Sequence, residues 1–441
     1  MESAAERSVA CLSPQSPHTK SNPPETAQGD PLRSRSGTHS GANSGSDSRQ
    51  HQRASSAISR INICKLPGIF TMASLLFLAF FILRCAATLR IPASESTVDI
   101  KAFNVANVTV ALPGVLLQPV LPGHNTIRLP LHAFLIEHTA SKKRFMFDLG
   151  MRNDPLNFPP SVASSFQSGV YSVGPFKEIT ELLEEGGIPL ESIDTIIWSH
   201  SHFDHIGNMA KWPNKTNLVI GPGTNRSLFP EFPDSPLQAS DFAGHNVTEL
   251  NFDNTNLTFS GLPAIDYFGD GSFYLLNTPG HLVGHITALA RVTPSSFIVL
   301  GADTCHHPGQ LRPRPKFQAA YPCPANLLAQ SRTSVSTDYF WSPDSHAGSF
   351  DMLSRAQPLL SIPDLPNSAD ADPVASRVSL DKIAGFDAEE DFFVVLTHDL
   401  SLVNVLSYFP ASLSSWRGSQ IKDQVLWGFI DEKNPAYRFG P

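Results

Sequence analysis

Ten residues constrain this chain most: Trp198-Ser199-His200-Ser201-His202-Phe203-Asp204-His205-Ile206-Gly207. They follow an apolar run, Ile193 to Trp198, whose β-branched residues predict a buried strand, and they end in a glycine that lets the chain turn. Four side chains able to bind metal therefore fall within six residues at the end of a strand. His200 and His202 are two apart, so an extended backbone points both to one side, while Asp204 and His205 turn toward a neighbouring point. The spacing predicts donors for two metals. Imidazole and carboxylate suit zinc, and an incomplete protein donor set leaves a position for water. An exposed polar loop is the plain alternative, but three His and one Asp so close together seldom arise by chance.

Length and charge narrow the setting. The 441 residues suffice for one large domain or two small ones. A net charge of -8 and the lack of a dense basic stripe argue against nucleic acid as a partner. Five cysteines (Cys11, Cys64, Cys85, Cys305, Cys323) without C-x-x-C spacing make no disulfide framework. Cys305 and Cys323 either pair or remain free thiols.

Residues 1–62 are rich in Ser, Pro, Gly, His and Arg, bury too little apolar surface to offset the entropy of ordering, and read as a disordered tail. Ile69 to Leu83 then runs without a charge. Extended to 66–88, with Arg84 reaching back to the interface, it reads as a transmembrane or signal-anchor segment, giving a single-pass membrane protein with this segment as its membrane partner. Small residues at Cys85-Ala86-Ala87 keep a secreted form open, and a natural start at Met72 would leave a short leader and a cytoplasmic protein. Basic residues on both sides leave the orientation undecided. Sequons at Asn107, Asn214, Asn225, Asn246 and Asn256 would suit a lumenal or extracellular domain.

From residue 94 to 441 the pattern is that of one catalytic domain. Val98 to Ala111 alternates like a strand, and His132 to Gly150 reads as a hairpin ending in Asp148. Phe176 to Glu185 has helical spacing closed by Gly186-Gly187. Met209 to Asp270 reads as loop with short strands, one at Leu218 to Ile220. Further strands are expected at Phe273–Asn277, Ile286–Val292, Phe297–Leu300 and Asp391–Leu396. Thr304 to Arg332 reads as irregular, with Arg312, Arg314 and Lys316 on a solvated loop or meeting an anionic group. Asp351 to Leu360 reads as helical and Ile362 to Ser376 as a disordered loop.

One arrangement recurs: an apolar strand and then a potential ligand at its carboxyl end, at Asp148, His200, His281, Asp303 and His398. Strand ends gathered along one edge are where α/β proteins build sites. On these residues the chain resembles the metallo-β-lactamase superfamily, whose H-x-H-x-D-H signature matches His200-Ser201-His202-Phe203-Asp204-His205. The resemblance covers most of residues 97–441 and implies an α/β (α+β) fold, an αββα sandwich holding two zinc ions, other divalent metals being compatible. It places His200, His202 and His281 on the first metal and Asp204, His205 and His398 on the second, with Asp303 bridging. Asp148 and His285 fall behind the ligands as orienting or structural groups. His306, three residues after Asp303, stands where lactonases of the family carry a tyrosine near the substrate carbonyl, and so becomes a substrate-facing candidate.

The resemblance implies metal-assisted hydrolysis in which zinc-activated hydroxide opens a lactone-like cyclic ester or amide. Asp204 and Asp303 are the catalytic carboxylates, with Asp204 orienting the nucleophile or passing on its proton. Class B β-lactamases carry a cysteine at the place of Asp303, which disfavours antibiotics, and His202 excludes the flavin-linked iron pattern. Phe-rich inserts suit a small-molecule substrate with an apolar part. A thioesterase of secondary metabolism is the first alternative, and a non-catalytic, membrane-tethered zinc domain the second.

Overall fold

The computed structural model describes residues 89–120, 124–327, 357–431 and 433–438. The tail 1–62, the apolar segment 66–88 and most of the helix expected at 351–360 lie outside the described residues, and residues 357–360 are not helical. Among the described residues no helix is long and apolar enough to cross a membrane.

The expected hairpin forms and becomes the centre of a sheet. β1 (Val98–Val110) runs antiparallel to β2 (Ile127–His138), which turns back into β3 (Arg144–Phe147). Midway, Asn104 pairs with His132 but Asn107 with Pro130, so β1 carries one extra residue, a bulge. The extra residue swaps the side to which later side chains point. Val98, Ile100 and Ala102 therefore face the core between sheets, whereas Val108 and Val110 join a separate apolar cluster.

Helix α1 (Pro160–Gln167) leads to β4 (Tyr171–Val173), which pairs with the outer edge of β1, and helix α2 (Ile179–Glu185) leads to β5 (Ile193–Ile197). A one-turn helix, α3 (Phe203–Ile206), follows β5. β6 (Asn217–Ile220) and β7 (Val247–Glu249) extend the parallel side, for a seven-stranded order β4-β1-β2-β3-β5-β6-β7. The second sheet comprises β8 (Leu257–Phe259), β9 (Leu262–Asp266), β10 (Phe273–Asn277), β11 (Ile286–Thr293), β12 (Ser296–Ala302) and β13 (Phe392–Leu396). Its order is β13-β12-β11-β10-β9-β8, antiparallel except for the β12–β13 pair.

Between β12 and β13 lie the short helices α4 (Pro308–Leu311) and α5 (Pro315–Ala320) and the long helix α6 (Pro373–Asp387). Three apolar clusters show how the layers stack. Phe134, Phe147 and Ile197 of the first sheet meet Leu275, Ala288 and Leu300 of the second. The outer face of the first sheet, with Leu135, Met146 and Ile196, takes Ile179 and Leu183 of α2. The outer face of the second, with Tyr274, Leu289 and Val394, takes Leu380, Ile383 and Phe386 of α6. This is the αββα order that the resemblance implies.

Two expectations need correction. Residues 362–376 are not a disordered loop, because the chain from 357 to 372 packs on the fold and α6 starts at Pro373. Asp372 caps that helix, its Oδ1 accepting from the backbone N–H of Val374 at 3.0 Å and Ala375 at 2.9 Å, and Pro373 supplies a first-turn φ with no N–H to satisfy. Arg312 is not on a solvated loop. It is 2% exposed and donates to Asp387 through Nε at 2.8 Å and Nη2 at 2.7 Å, while Lys316 does remain exposed. The cause is the docking of α6, whose last residue brings a buried carboxylate to the guanidinium. Cys305 and Cys323 are both buried and unpaired. Of the sequons, Asn214, Asn225, Asn246 and Asn256 are exposed and Asn107 is half-buried in β1.

Breaking the Arg312–Asp387 pair strands a buried charge, which costs about 3–5 kcal/mol. Asp387→Ala is therefore expected to lower the unfolding free energy by that amount in urea titrations, and adding Arg312→Met to recover most of it.

Candidate metal centre

The signature folds as its spacing predicts. After β5 the chain bends at Ser199 and His200, is extended at His202, and then makes the single turn of α3 from Phe203 to Ile206. His200 and His202 thereby reach one group of donors, with His281 and Asp303, and Asp204 and His205 reach another, with His398. Within each group the donor atoms lie within 4.8 Å of one another. His281 comes from the loop between β10 and β11, Asp303 follows β12 and His398 follows β13. The two sheets are joined at this edge by the Ile286 N–H, which donates to Ser199 O at 2.9 Å.

In the first group His202 Nδ1 lies 3.0 Å from His200 Nε2 and 2.9 Å from His281 Nε2. Nitrogens bound at about 2.0–2.1 Å to one tetrahedral zinc lie about 3.3 Å apart, so the triangle suits a single ion. Asp303 Oδ2 is 3.7 Å from His200 Nε2 and 3.4 Å from His281 Nε2. The same oxygen is 3.1 Å from His398 Nε2, and Oδ1 is 3.2 Å from His205 Nε2. Asp303 thus touches both groups, as a bridging carboxylate must. Asp204 completes the second, with Oδ2 3.6 Å from His398 Nε2 and Oδ1 4.0 Å from His205 Nε2. His205 Nε2 and Asp303 Oδ1 are buried with no hydrogen-bond partner. Buried polar atoms left unpaired on both a base and an acid fit a cation between them.

Electrostatics agree with the donor role. Burial, and then the neighbouring imidazoles, push His200 and His202 well below their usual range, so their lone pairs stay free. Burial, the largest influence, opposes charge on His205 and His398 as well, but the neighbouring carboxylates together outweigh it, Asp303, Asp148 and Asp204 at His205 and Asp303 and Asp204 at His398, and hold them up. Burial likewise works against the Asp303 carboxylate, yet His205 and His398 keep it well below the ordinary carboxylate value.

A layer of buried groups aims the ligands. Asp148, at φ 59°, accepts from Ser199 N–H at 2.7 Å and from His205 Nδ1 at 2.8 Å, so His205 turns Nε2 inward. His398 Nδ1 donates to Pro130 O at 2.9 Å. His285 donates from Nδ1 to Thr278 O at 2.9 Å and accepts the Asp303 backbone N–H at Nε2, 3.2 Å away. It therefore supports Asp303 from behind, and burial pushes it down to about 3. His306 lies among the ligands with Nε2 3.6 Å from Asp303 Oδ2, and it lines the same pocket as His202, Asp204 and His281.

Sequence reasoning missed two residues of this layer. His132, buried in β2, donates from Nδ1 to Thr397 O at 2.7 Å and accepts from Tyr408 OH at 2.9 Å, fixing the backbone that carries His398. Burial pushes it down to about 4, which keeps that tautomer neutral. Asp370, 3% exposed, places Oδ1 3.5 Å from His281 Nδ1. Burial raises its pKa, but His281 and His306 lower it further than burial raises it. The signal available for Asp370 was the Asp372-Pro373 helix start just after it.

A family model described as the metallo-beta-lactamase superfamily matches residues 127–292. The metallo-hydrolase mfmC of Annulohypoxylon moriforme is 34% identical over 362 residues, 79% of this chain and 90% of that one. The chain belongs to the metallo-β-lactamase superfamily. The gamma-lactamase FDB1 of Fusarium pseudograminearum is 32% identical over 360 residues, 78% of this chain and 84% of its own. A cytochrome monooxygenase, mpaDE, of Penicillium roqueforti is 35% identical over 361 residues, 79% of this chain, and this chain spans 39% of its length. As a metallo-β-lactamase superfamily member the protein is a metal-dependent hydrolase, of a superfamily that typically uses zinc.

If Asp148 aims His205, Asp148→Ala should weaken metal binding at the second group by about 10–100-fold. Chelator competition on the full chain reads this, with the first group as the internal reference.

Proposed function

We propose that the protein is a dinuclear zinc hydrolase that opens a lactone-like cyclic ester or amide. The observation that carries this reading is the pair of donor groups sharing Asp303 beside a pocket with an apolar wall. Val108, Val110, Val115, Leu116 and Leu129 form that wall, and His202, Asp204, His281, Asp303, His306 and His398 face it. The gamma-lactamase name of one relative supports the amide arm.

His200, His202 and His281 would hold one ion and Asp204, His205 and His398 the other, with Asp303 between them. When bound, such a pair would supply a water acidified to near neutrality and a polarised scissile carbonyl. The chain's own residues do the rest. The apolar wall buries the substrate's hydrocarbon part, at roughly 25 cal/mol for each Å² taken from water. Asp204, held within the second group yet open to the pocket, takes the proton of the attacking water and passes it to the leaving oxygen or nitrogen. His306 faces the carbonyl as a hydrogen-bond donor, in the place where related lactonases have a tyrosine hydroxyl. Ring opening keeps both product halves in one molecule, which suits a pocket closed on one side by packed apolar residues.

Metal analysis of the full chain, followed by hydrolysis of γ-lactones and γ-lactams of increasing alkyl length, acyl thioesters and nitrocefin, tests the reading. About two metals per chain are expected, with turnover of a lactone or γ-lactam that improves as the alkyl chain lengthens. His202→Ala should lose both the first metal and the turnover. Thioester hydrolysis alone would assign the thioesterase reading, and a folded protein that takes up no metal would remove the proposal.

A further inference from the structure

The loop that carries His281 is held from outside the signature, by the segment that leads into α6. Ser379 Oγ donates to Pro279 O at 2.6 Å, Asp372 N–H to Gly280 O at 2.9 Å and Ala371 N–H to His281 O at 2.9 Å. Three successive carbonyls of the His281 loop are thus bound by residues 371–379. The approach is close enough to require glycine: at Gly280, φ 135°, a Cβ would lie 2.1 Å from the backbone nitrogen of Ser376. Such contact between two backbones leaves no room for water between the His281 loop and the start of α6.

Asp370 sits at the root of this clamp. Its Oδ1 accepts from Ser376 Oγ at 2.6 Å and lies 3.5 Å from His281 Nδ1, and its backbone N–H donates to Ser368 Oγ at 3.1 Å. His281, His306 and Asp370 form a buried group whose donor atoms lie within 4.8 Å of one another. Each of the three leaves one buried atom without a hydrogen-bond partner: His281 Nδ1, His306 Nδ1 and Asp370 Oδ2. On the far side of the His281 ring, Nε2 lies 3.4 Å from Asp303 Oδ2, the oxygen that His306 Nε2 approaches to 3.6 Å. A neutral imidazole has one N–H and one lone pair. An Nε2 that binds metal therefore needs its proton on Nδ1, with an acceptor behind it.

We propose that Asp370 is a positioning residue for His281, its carboxylate accepting the His281 Nδ1–H and so fixing Nε2 toward the metal centre. Ser376 and the clamp of 371–379 keep that carboxylate from rotating away. The inference rests on the reading of His281 as a metal ligand.

The test uses the full chain loaded with Zn²⁺ or Co²⁺, comparing wild type with Asp370→Asn and Asp370→Ala by stepwise chelator competition and by the visible spectrum of the Co²⁺ form. Asp370→Ala should weaken one metal by about 10–100-fold and leave the other unchanged, with Asp370→Asn between it and wild type. The Co²⁺ spectrum should change for the weakened ion only, and the melting temperature of the metal-free Asp370→Asn protein should match wild type. Unchanged affinity for both metals overturns the proposal. Equal weakening of both, with a lowered melting temperature of the metal-free protein, overturns it too, as does a third metal in wild type that both variants lose. Wild type binding fewer than two metals sinks the dinuclear reading instead.

Discussion

A single buried carboxylate holds the functional edge of this protein together. Asp303, from the end of β12 in the second sheet, lies within 3.7 Å of nitrogens from His200, His205, His281, His306 and His398. Two of these belong to the first sheet's signature loop and three to the second sheet. A charge this deep is sustained only by opposite charge or strong donors around it. The packing of the two sheets is therefore tied to the chemistry, because any slip between them would separate the carboxylate from its partners.

What keeps the imidazoles useful is the layer behind them. Asp148, the Pro130 carbonyl, Thr278 with His285 and, in our proposal, Asp370 each take an Nδ1 proton or support a backbone. A histidine held at one nitrogen presents the other in a fixed direction. These supports come from both sheets, from the β10–β11 loop and from the approach to α6, so the centre depends on nearly every layer of the sandwich. The positive φ of Asp148, and of Ala302 just before Asp303, marks two places where the backbone is bent to meet this demand.

The pocket owes its apolar wall to a different device. Without the extra residue between Asn104 and Asn107, Val108 and Val110 would point to the same side as Ile100 and Ala102. The bulge instead directs them to the cluster with Leu116, Leu129 and Phe203, beside the metal donors. In the proposed reaction this wall would take the hydrocarbon part of the substrate, while the donor groups would set only which bond reacts.

Much of this was legible in the chain because it is local. The strand before His200, the two-residue spacing that separates His200 and His202 from Asp204 and His205, and the ligand at the end of each strand follow from backbone geometry over a few residues. So do the hairpin, helix α2 and the strands of the second sheet's core. Other features are non-local and had no local signal. Arg312 reads as a loop cation until α6 docks and brings Asp387 to it, and Asp370 reads as one acid in a polar stretch until the β10–β11 loop closes against it. His132 is an ordinary strand residue until Thr397 and Tyr408 arrive from the far end of the chain. The sequence by itself determined the strands, the candidate ligands and the family, because covalent spacing sets which side chains leave one strand end together. Only the tertiary structure decided which buried groups stand behind those ligands and which residues wall the pocket, because burial and hydrogen bonding depend on contacts between segments up to hundreds of residues apart.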